Sequence, residues 1–351
     1  SMPTVDVSPG VTLHFEVWGP VSLPRLLVLP PSNTSLKDLK PFLSGPGLSL
    51  TKDFCILSFD YRGIGNSSKQ SADAPWPAPT MSVFVEDILA LLRHVRWDTF
   101  NLIGFSFGGA LAQELMLKQS SGLTFQRVLL VCPASDVDQE AGGEGSYPLT
   151  KLLDMSADER CDQMLLIADT RRGYSWLESE QGQGAQFFMR QMEANLTSVP
   201  GGVEGRNYQY EARAKHASIE RLRNATGAPP PMPKGEPVPP PSPNNEKGKL
   251  LSDAPRTDYS TTAAAPTMAA STTSPLYSAC AIFAASFDGI SPPTSSKNLH
   301  AAMNGASLIW FATGHWPNLA REAPSTFGAA TTAFLKAQPF PQEVLSSSAE
   351  A

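Results

Sequence analysis

Between Thr99 and Lys118 a strand-like run, TFNLIG, passes directly into a stretch rich in Ala, Leu, Met and Gln that reads as a helix. The junction is Gly104-Phe-Ser106-Phe-Gly108-Gly109. A chain that turns from strand to helix this abruptly must bend so tightly that side chains at the flanking positions would meet neighbouring backbone, which is why glycine stands there. The residue at the apex is held in a strained conformation with its side chain presented outward. A serine in that place sits at the N-terminal end of a helix, whose free N–H groups and positive dipole end favour negative charge forming nearby. Gly-x-Ser-x-Gly is a weak signal alone; the strand before it and the helix after it give it weight.

The rest of the chain supplies the setting for such a bend. Val11–Trp18 alternates as a strand with one buried face, and Arg25–Leu29, Phe54–Phe59, Gln126–Cys132, Cys280–Ala284 and Ser307–Phe311 are short apolar runs that read as buried strands. Thr80–Trp97 carries Val85, Ile88, Leu89 and Leu92 at helical spacing, and a helix is expected over about Asn318–Lys336. Apolar strands alternating with helices predict an α/β fold: a mostly parallel sheet covered on both faces.

That rhythm stops between Pro133 and Ala279. Helical patterns are predicted within Pro148–Asp169, at Phe187–Leu196 and at Tyr208–Arg223, with Met189, Met192, Ile219 and Leu222 as packing residues. A helical cap over the C-terminal edge of the sheet is the economical reading, because ligands of open α/β sheets bind at that edge. From 224 to 275 the composition changes. Nine of the chain's 32 prolines fall within Ala228–Pro243, and Ala, Ser and Thr dominate the remainder. Such a segment cannot bury enough apolar surface to offset its ordering entropy, so an insertion without fixed structure is expected. The organisation expected is a core over 2–135, a cap over 136–223, the insertion over 224–275, the second part of the core over 276–338 and a flexible tail over 339–351.

Composition excludes several classes. With 27 Lys and Arg against 33 Asp and Glu, net charge −6, the chain lacks the basic footprint of a nucleic-acid binder. No run of about 18 apolar residues is present, so no membrane partner is expected. The stretch SMPTVDVSPGVTLHFEV lacks the charged-then-apolar layout of a signal peptide. The four cysteines, Cys55, Cys132, Cys161 and Cys280, form no metal-binding or disulfide pattern, and Cys55, Cys132 and Cys280 fall in or beside apolar runs. Reduced thiols in a cytoplasmic protein are expected, with no metal and no cofactor.

The bend at Ser106, the strand order and FDYRGIGNSS (Phe59–Ser68) together resemble the α/β-hydrolase superfamily, in its form with a lid between the sixth and seventh strands. The resemblance covers most of Val11–Leu335 outside the Pro-rich stretch. It implies that Asp60 and Arg62 hold a structural turn, and that a nucleophile, an acid and a histidine follow in that order. Of the five histidines, His14, His94 and His300 read as structural. His315, in TGHWP after the run SLIWF and with Glu322 and Pro324 following, stands where the family carries its base. Asp288, in FDGISPP after CAIFAAS, stands where it carries the acid; Asp136, just after the sixth strand, and Asp138 are the rivals.

In that reading Ser106 is the nucleophile, His315 takes its proton and Asp288 fixes the imidazole tautomer. One oxyanion donor is the backbone N–H of Phe107. The family's second donor lies after the third strand, where this chain departs from the usual His-Gly and has Leu29-Pro30-Pro31-Ser32-Asn33. Proline has no N–H, so Ser32 is the candidate, with Asn33 beside it. Asn33, Trp176, His216 and Trp316 are candidate pocket residues; Arg171, Arg172 and Arg213 are further cap residues facing the same region. The function expected is hydrolysis of a carboxylic ester or lactone of a small, largely apolar molecule through an acyl-enzyme on Ser106. C–C or amide hydrolysis with the same triad, and a non-hydrolytic biosynthetic or binding role, are the alternatives.

Overall fold

The computed structural model describes residues 2–45, 48–71, 75–118, 122–139, 143–226 and 277–351. The chain begins with three strands, β1 (Thr4–Ser8), β2 (Val11–Trp18) and β3 (Arg25–Leu29), then α1 (Leu36–Ser44) and β4 (Cys55–Phe59). Helix α2 (Met81–Val95), strand β5 (Thr99–Phe105), helix α3 (Phe107–Leu117) and strand β6 (Thr124–Val131) follow. Five helices come next: α4 (Ala157–Ala168), α5 (Tyr174–Leu177), α6 (Glu180–Ser198), α7 (Gly202–Ala214) and α8 (Ile219–Thr226). The sheet resumes with β7 (Cys280–Ala285), α9 (Pro293–Ala302) and β8 (Ser307–Phe311), and the chain ends in α10 (Trp316–Glu322), α11 (Pro324–Leu335) and α12 (Gln342–Glu350).

The eight strands form one sheet in the order β1-β2-β4-β3-β5-β6-β7-β8. The β1–β2 and β2–β4 pairs are antiparallel and the other pairs parallel. The expected α/β architecture is therefore present. Along the central strands successive side chains enter opposite cores. Leu27, Leu57, Leu102, Val128 and Ile282 pack on the face of α2 and α3, whereas Leu26, Ile56, Ile103, Leu129 and Phe283 pack on the face of α1 and α11. Burial on both faces is what makes these strands read as unbroken apolar runs.

Differences from expectation have local causes. The helix expected over Asn318–Lys336 is two, because Pro324 cannot continue α10 and starts α11 instead. Tyr208–Arg223 is likewise two helices, α7 and α8, broken around Ser218. The tail expected to be flexible over 339–351 contains α12, whose Val344 is fully buried and whose Ser348 hydroxyl accepts the N–H of Trp310 on the edge strand β8 at 2.8 Å. Most of the expected insertion, 227–275, lies outside the described residues, while 224–226 complete α8. The four cysteines are free and buried. Among the described residues no helix is long and apolar enough to cross a membrane.

Candidate active site

The bend between β5 and α3 puts Ser106 at φ 51°, ψ −108°, a left-handed conformation that a serine adopts only under constraint. The constraint is visible. Ser106 donates its N–H to Val131 O at 3.0 Å, and its own carbonyl accepts from Ala110 and Ala134. A Cβ at Gly104 would lie 2.4 Å from Gly108 O, and one at Gly108 would lie 2.2 Å from Leu29 O. Neither position has room for any side chain, so the glycines flanking Ser106 are a packing requirement.

Three loops at the same end of the parallel strands converge here. Ser106 follows β5, Asp288 follows β7 and His315 follows β8. His315 Nε2 is 2.9 Å from Ser106 Oγ and Nδ1 is 2.6 Å from Asp288 Oδ2. The second carboxylate oxygen of Asp288 accepts the N–H groups of Ile290 and Ser291, each at 2.8 Å. Asp288 is thus anchored on one side and holds the imidazole on the other. The tautomer this favours has Nδ1 protonated and Nε2 free to accept the serine hydroxyl. The rival acid Asp136 is occupied elsewhere, its Oδ1 accepting the N–H groups of Ser218 and Ile219 at the start of α8.

Sequence reasoning did not foresee that α4 holds the loops of both Asp288 and His315. The last carbonyls of a helix have no intrahelical partner. Here Ile167 O accepts the N–H of Gly289 at 2.9 Å and Ala168 O that of His315 at 2.6 Å. The carbonyl end of α4 thus fixes the backbone of the loop that carries the imidazole. The approach is close: a Cβ on Gly314 would fall 2.4 Å from Ala168 O, and one on Gly289 2.6 Å from Ile167 O.

Phe107 is the first residue of α3, so its N–H lacks an intrahelical acceptor and stands beside Ser106. In the turn after β3, Tyr61 Oη donates to Pro30 O at 2.9 Å, and the N–H of Asn33 is taken by Gln209 Oε1 of α7 at 2.7 Å. The N–H of Ser32 has no acceptor among the described residues, and Ser32 and Ser106 line the same cavity. The double proline leaves Ser32 with the first backbone donor on this turn.

The cavity over Ser106 has a volume of about 660 Å³, within the range of small-molecule sites. Its walls are mostly apolar, with Leu149, Met164, Leu165, Met189, Met192 and Ile290 among them. The expected pocket residues Asn33 and Trp316 line it. Trp176 and His216 do not. Trp176 lies under the Arg172 guanidinium, 4.1 Å from its ring centre. His216 is buried behind α3, its Nδ1 3.1 Å from Glu114 Oε1 and its Nε2 3.5 Å from Gln113 Oε1. Arg213, also outside the lining, is fully buried and donates to Tyr147 O; burial lowers its pKa to about 10. Arg171 pairs with Asp169 and Glu322.

Asp60 and Arg62 are structural. Asp60 accepts the N–H groups of Leu36 and Asn66, and Arg62 forms a buried two-pronged pair with Asp87. Cys132 Sγ lies within 4.8 Å of the ligand atoms of Asp288 and His315. Burial, with the Asp288 carboxylate next, pushes this thiol well above its ordinary pKa. Both imidazole nitrogens already face Ser106 and Asp288, an arrangement suited to proton transfer.

The description of the alpha/beta hydrolase fold family matches residues 44–321, and the chain belongs to that family. Similar solved structures include an enol-lactonase from Burkholderia xenovorans LB400, 18% identical with a TM-score of 0.61, the match covering 95% of this chain and 100% of that one. An esterase from Exiguobacterium antarcticum is 14% identical with a TM-score of 0.61, over 96% and 100% of the two chains. A meta-cleavage product hydrolase from Pseudomonas fluorescens IP01 is 15% identical with a TM-score of 0.60, over 95% and 97%. At these identities the likeness is one of fold.

Proposed function

We propose that this hydrolase-family chain is a serine hydrolase acting on a carboxylic ester or lactone. The observation that carries the reading is the continuous hydrogen-bonded line Ser106 Oγ, His315 Nε2, His315 Nδ1, Asp288 Oδ2 at the floor of an apolar cavity. Ser106 attacks the carbonyl carbon as His315 Nε2 takes its proton. The carbonyl oxygen becomes an oxyanion between the N–H groups of Phe107 and Ser32. Collapse of this intermediate breaks the bond to the leaving alcohol, which receives the proton from His315, and leaves an acyl group on Ser106. Water, deprotonated by the same imidazole, then attacks the acyl carbon; the acid departs and Ser106 regains its proton. Asp288 stabilises the imidazolium that exists between these transfers. The helices between β6 and β7 serve as a cap: residues from α4, α6 and α7 form the walls above Ser106 and enclose the acyl chain.

A fluorophosphonate probe and a panel of p-nitrophenyl esters test this. Covalent labelling that requires Ser106, together with ester turnover, is the expected result. Absence of labelling refutes the nucleophile. Labelling without turnover of any ester or lactone transfers the triad to a different bond, such as C–C or amide.

A further inference from the structure

The cavity above Ser106 has mostly apolar walls, and two guanidinium groups, Arg172 and Arg321, line it together with Asn33, Thr34, Asp38 and Asn318. Ser106 and His315 are each only 5% exposed, whereas Arg172 is half-buried and Arg321 exposed. Arg321 is the sixth residue of α10, which places its Cα about 8 Å along the helix from Trp316, beyond the base.

Neither arginine has a close carboxylate of its own: Arg172 has only a long pair with Asp169, which Arg171 also holds. Asp169, next to Arg172 in space, gives both its oxygens to Arg171, at 2.9 and 2.6 Å, and Arg171 also takes Glu322 at 2.8 Å. Arg172 is left with Leu165 O at 3.5 Å and Asp169 Oδ2 at 3.8 Å. Arg321 has no carboxylate within ion-pair distance among the described residues. The carboxylate on the cavity wall, Asp38, accepts the Ser35 hydroxyl at 2.7 Å.

Both guanidiniums are instead supported by aromatic rings. Arg172 lies 4.1 Å from the Trp176 ring centre and Arg321 5.8 Å from that of Phe188, which also lines the cavity. A guanidinium resting on a ring has its plane restrained while its N–H edge stays free, the disposition that suits a planar oxyanion.

We propose that the substrate carries a carboxylate at the end remote from the bond that is cleaved, and that Arg172 and Arg321 hold it. The inference rests on the ester or lactone reading for which end lies at Ser106, and it narrows the substrate to an amphipathic acid: an ester or lactone at one end, a short apolar body against Met164, Met189 and Met192, and an anion at the mouth. Charge-assisted hydrogen bonds to Arg discriminate strongly against a neutral end.

Binding separates this proposal from the hydrolytic one. Ser106→Ala protein is titrated calorimetrically with the monomethyl esters of glutaric, adipic and suberic acids, ionised at neutral pH, and with the corresponding dimethyl esters. At the best chain length the anionic ester is expected to bind at least tenfold more tightly. In Ser106→Ala/Arg172→Met and Ser106→Ala/Arg321→Met that preference should fall below about threefold. Arg321, exposed at a helix end, keeps the test available if Arg172→Met fails to fold. Equal binding of charged and neutral esters at every length, or a preference that survives both substitutions, overturns the proposal. Turnover plays no part in this measurement, so failure of Ser106 to act as a nucleophile shows in the labelling experiment and not here.

Discussion

Gln209 of α7 accepts the backbone N–H of Asn33 at 2.7 Å, so the turn after β3 is held by a side chain 176 positions further along the chain. Pro30 and Pro31 deprive that turn of two backbone donors, and Asn33 has φ 53°, an unfavourable value for a non-glycine residue. The Gln209 bond compensates for both. Gln209→Leu is expected to lower kcat on an ester about tenfold with little change in KM, because the Ser32 N–H is no longer aimed at the oxyanion. Gln209→Glu, which keeps the acceptor, should recover most of that loss. Equal losses in the two variants would show that only packing is involved.

Removal of the Ser106 hydroxyl is expected to give the largest effect. Ser106→Ala should retain well below one per cent of ester turnover, since loss of a triad member typically costs about 10⁴ or more in rate. Its melting temperature should stay close to that of the parent, because the hydroxyl is bonded to His315 and the backbone of the bend is unchanged. Turnover above about one per cent would place the chemistry elsewhere.

Gly314 tests the contact between α4 and the loop of His315. A Cβ there meets Ala168 O at 2.4 Å and backbone must shift to admit it. Gly314→Ala is expected to cost about 1–3 kcal/mol of stability, the range for overpacking, and to reduce kcat by displacing His315. Thermal unfolding and ester kinetics measure the two. An unaffected rate would mean that the α4 carbonyls do not hold the imidazole in place.

Glu114 provides a pH-dependent test. Burial raises its pKa, but hydrogen bonds and charge from Arg221 and His216 outweigh burial and hold it at about 2 against an ordinary 4.5. A carboxyl depressed in the folded state stabilises the fold above its unfolded pKa, and that contribution is lost as the pH falls from about 4.5 toward 2. Glu114→Gln should therefore be less stable than the parent at neutral pH, and the gap in urea midpoint should close through that window. A constant gap from pH 6 down to 2.5 would show that the pairing contributes no linkage.

The features legible in the sequence were those with a local signature. Ser106 was marked by the glycines that the bend requires, and Asp288 and His315 by their positions just after apolar runs. Leu26 to Leu29 read as a strand because alternate residues enter two cores. What escaped notice depends on partners distant in the chain. Nothing in YQYEARA marks Gln209 as the residue that reaches Asn33, and an α4 terminus bonded to Gly289 and His315 leaves no trace in either stretch. His216 looked available on an amphipathic helix, yet the chain between α7 and α8 carries it behind α3. Strand β1 and helix α12 are short and lightly apolar, and their stability comes from the sheet edges they cover.

The ladder joining β5, β6, β7 and β8 has one more consequence. Adjacent strand ends in such a ladder stand about 5 Å apart whatever length of chain intervenes, so the spacing of serine, acid and histidine is set crosswise by hydrogen bonds and not lengthwise by the count of residues. Away from the end of α4 and from Gln209, which hold the loops of Asp288, His315 and Ser32, the chain between β6 and β7 can grow, shrink or change composition while the three side chains keep their distances. What the cavity admits can therefore be remodelled without moving Ser106, Asp288 and His315.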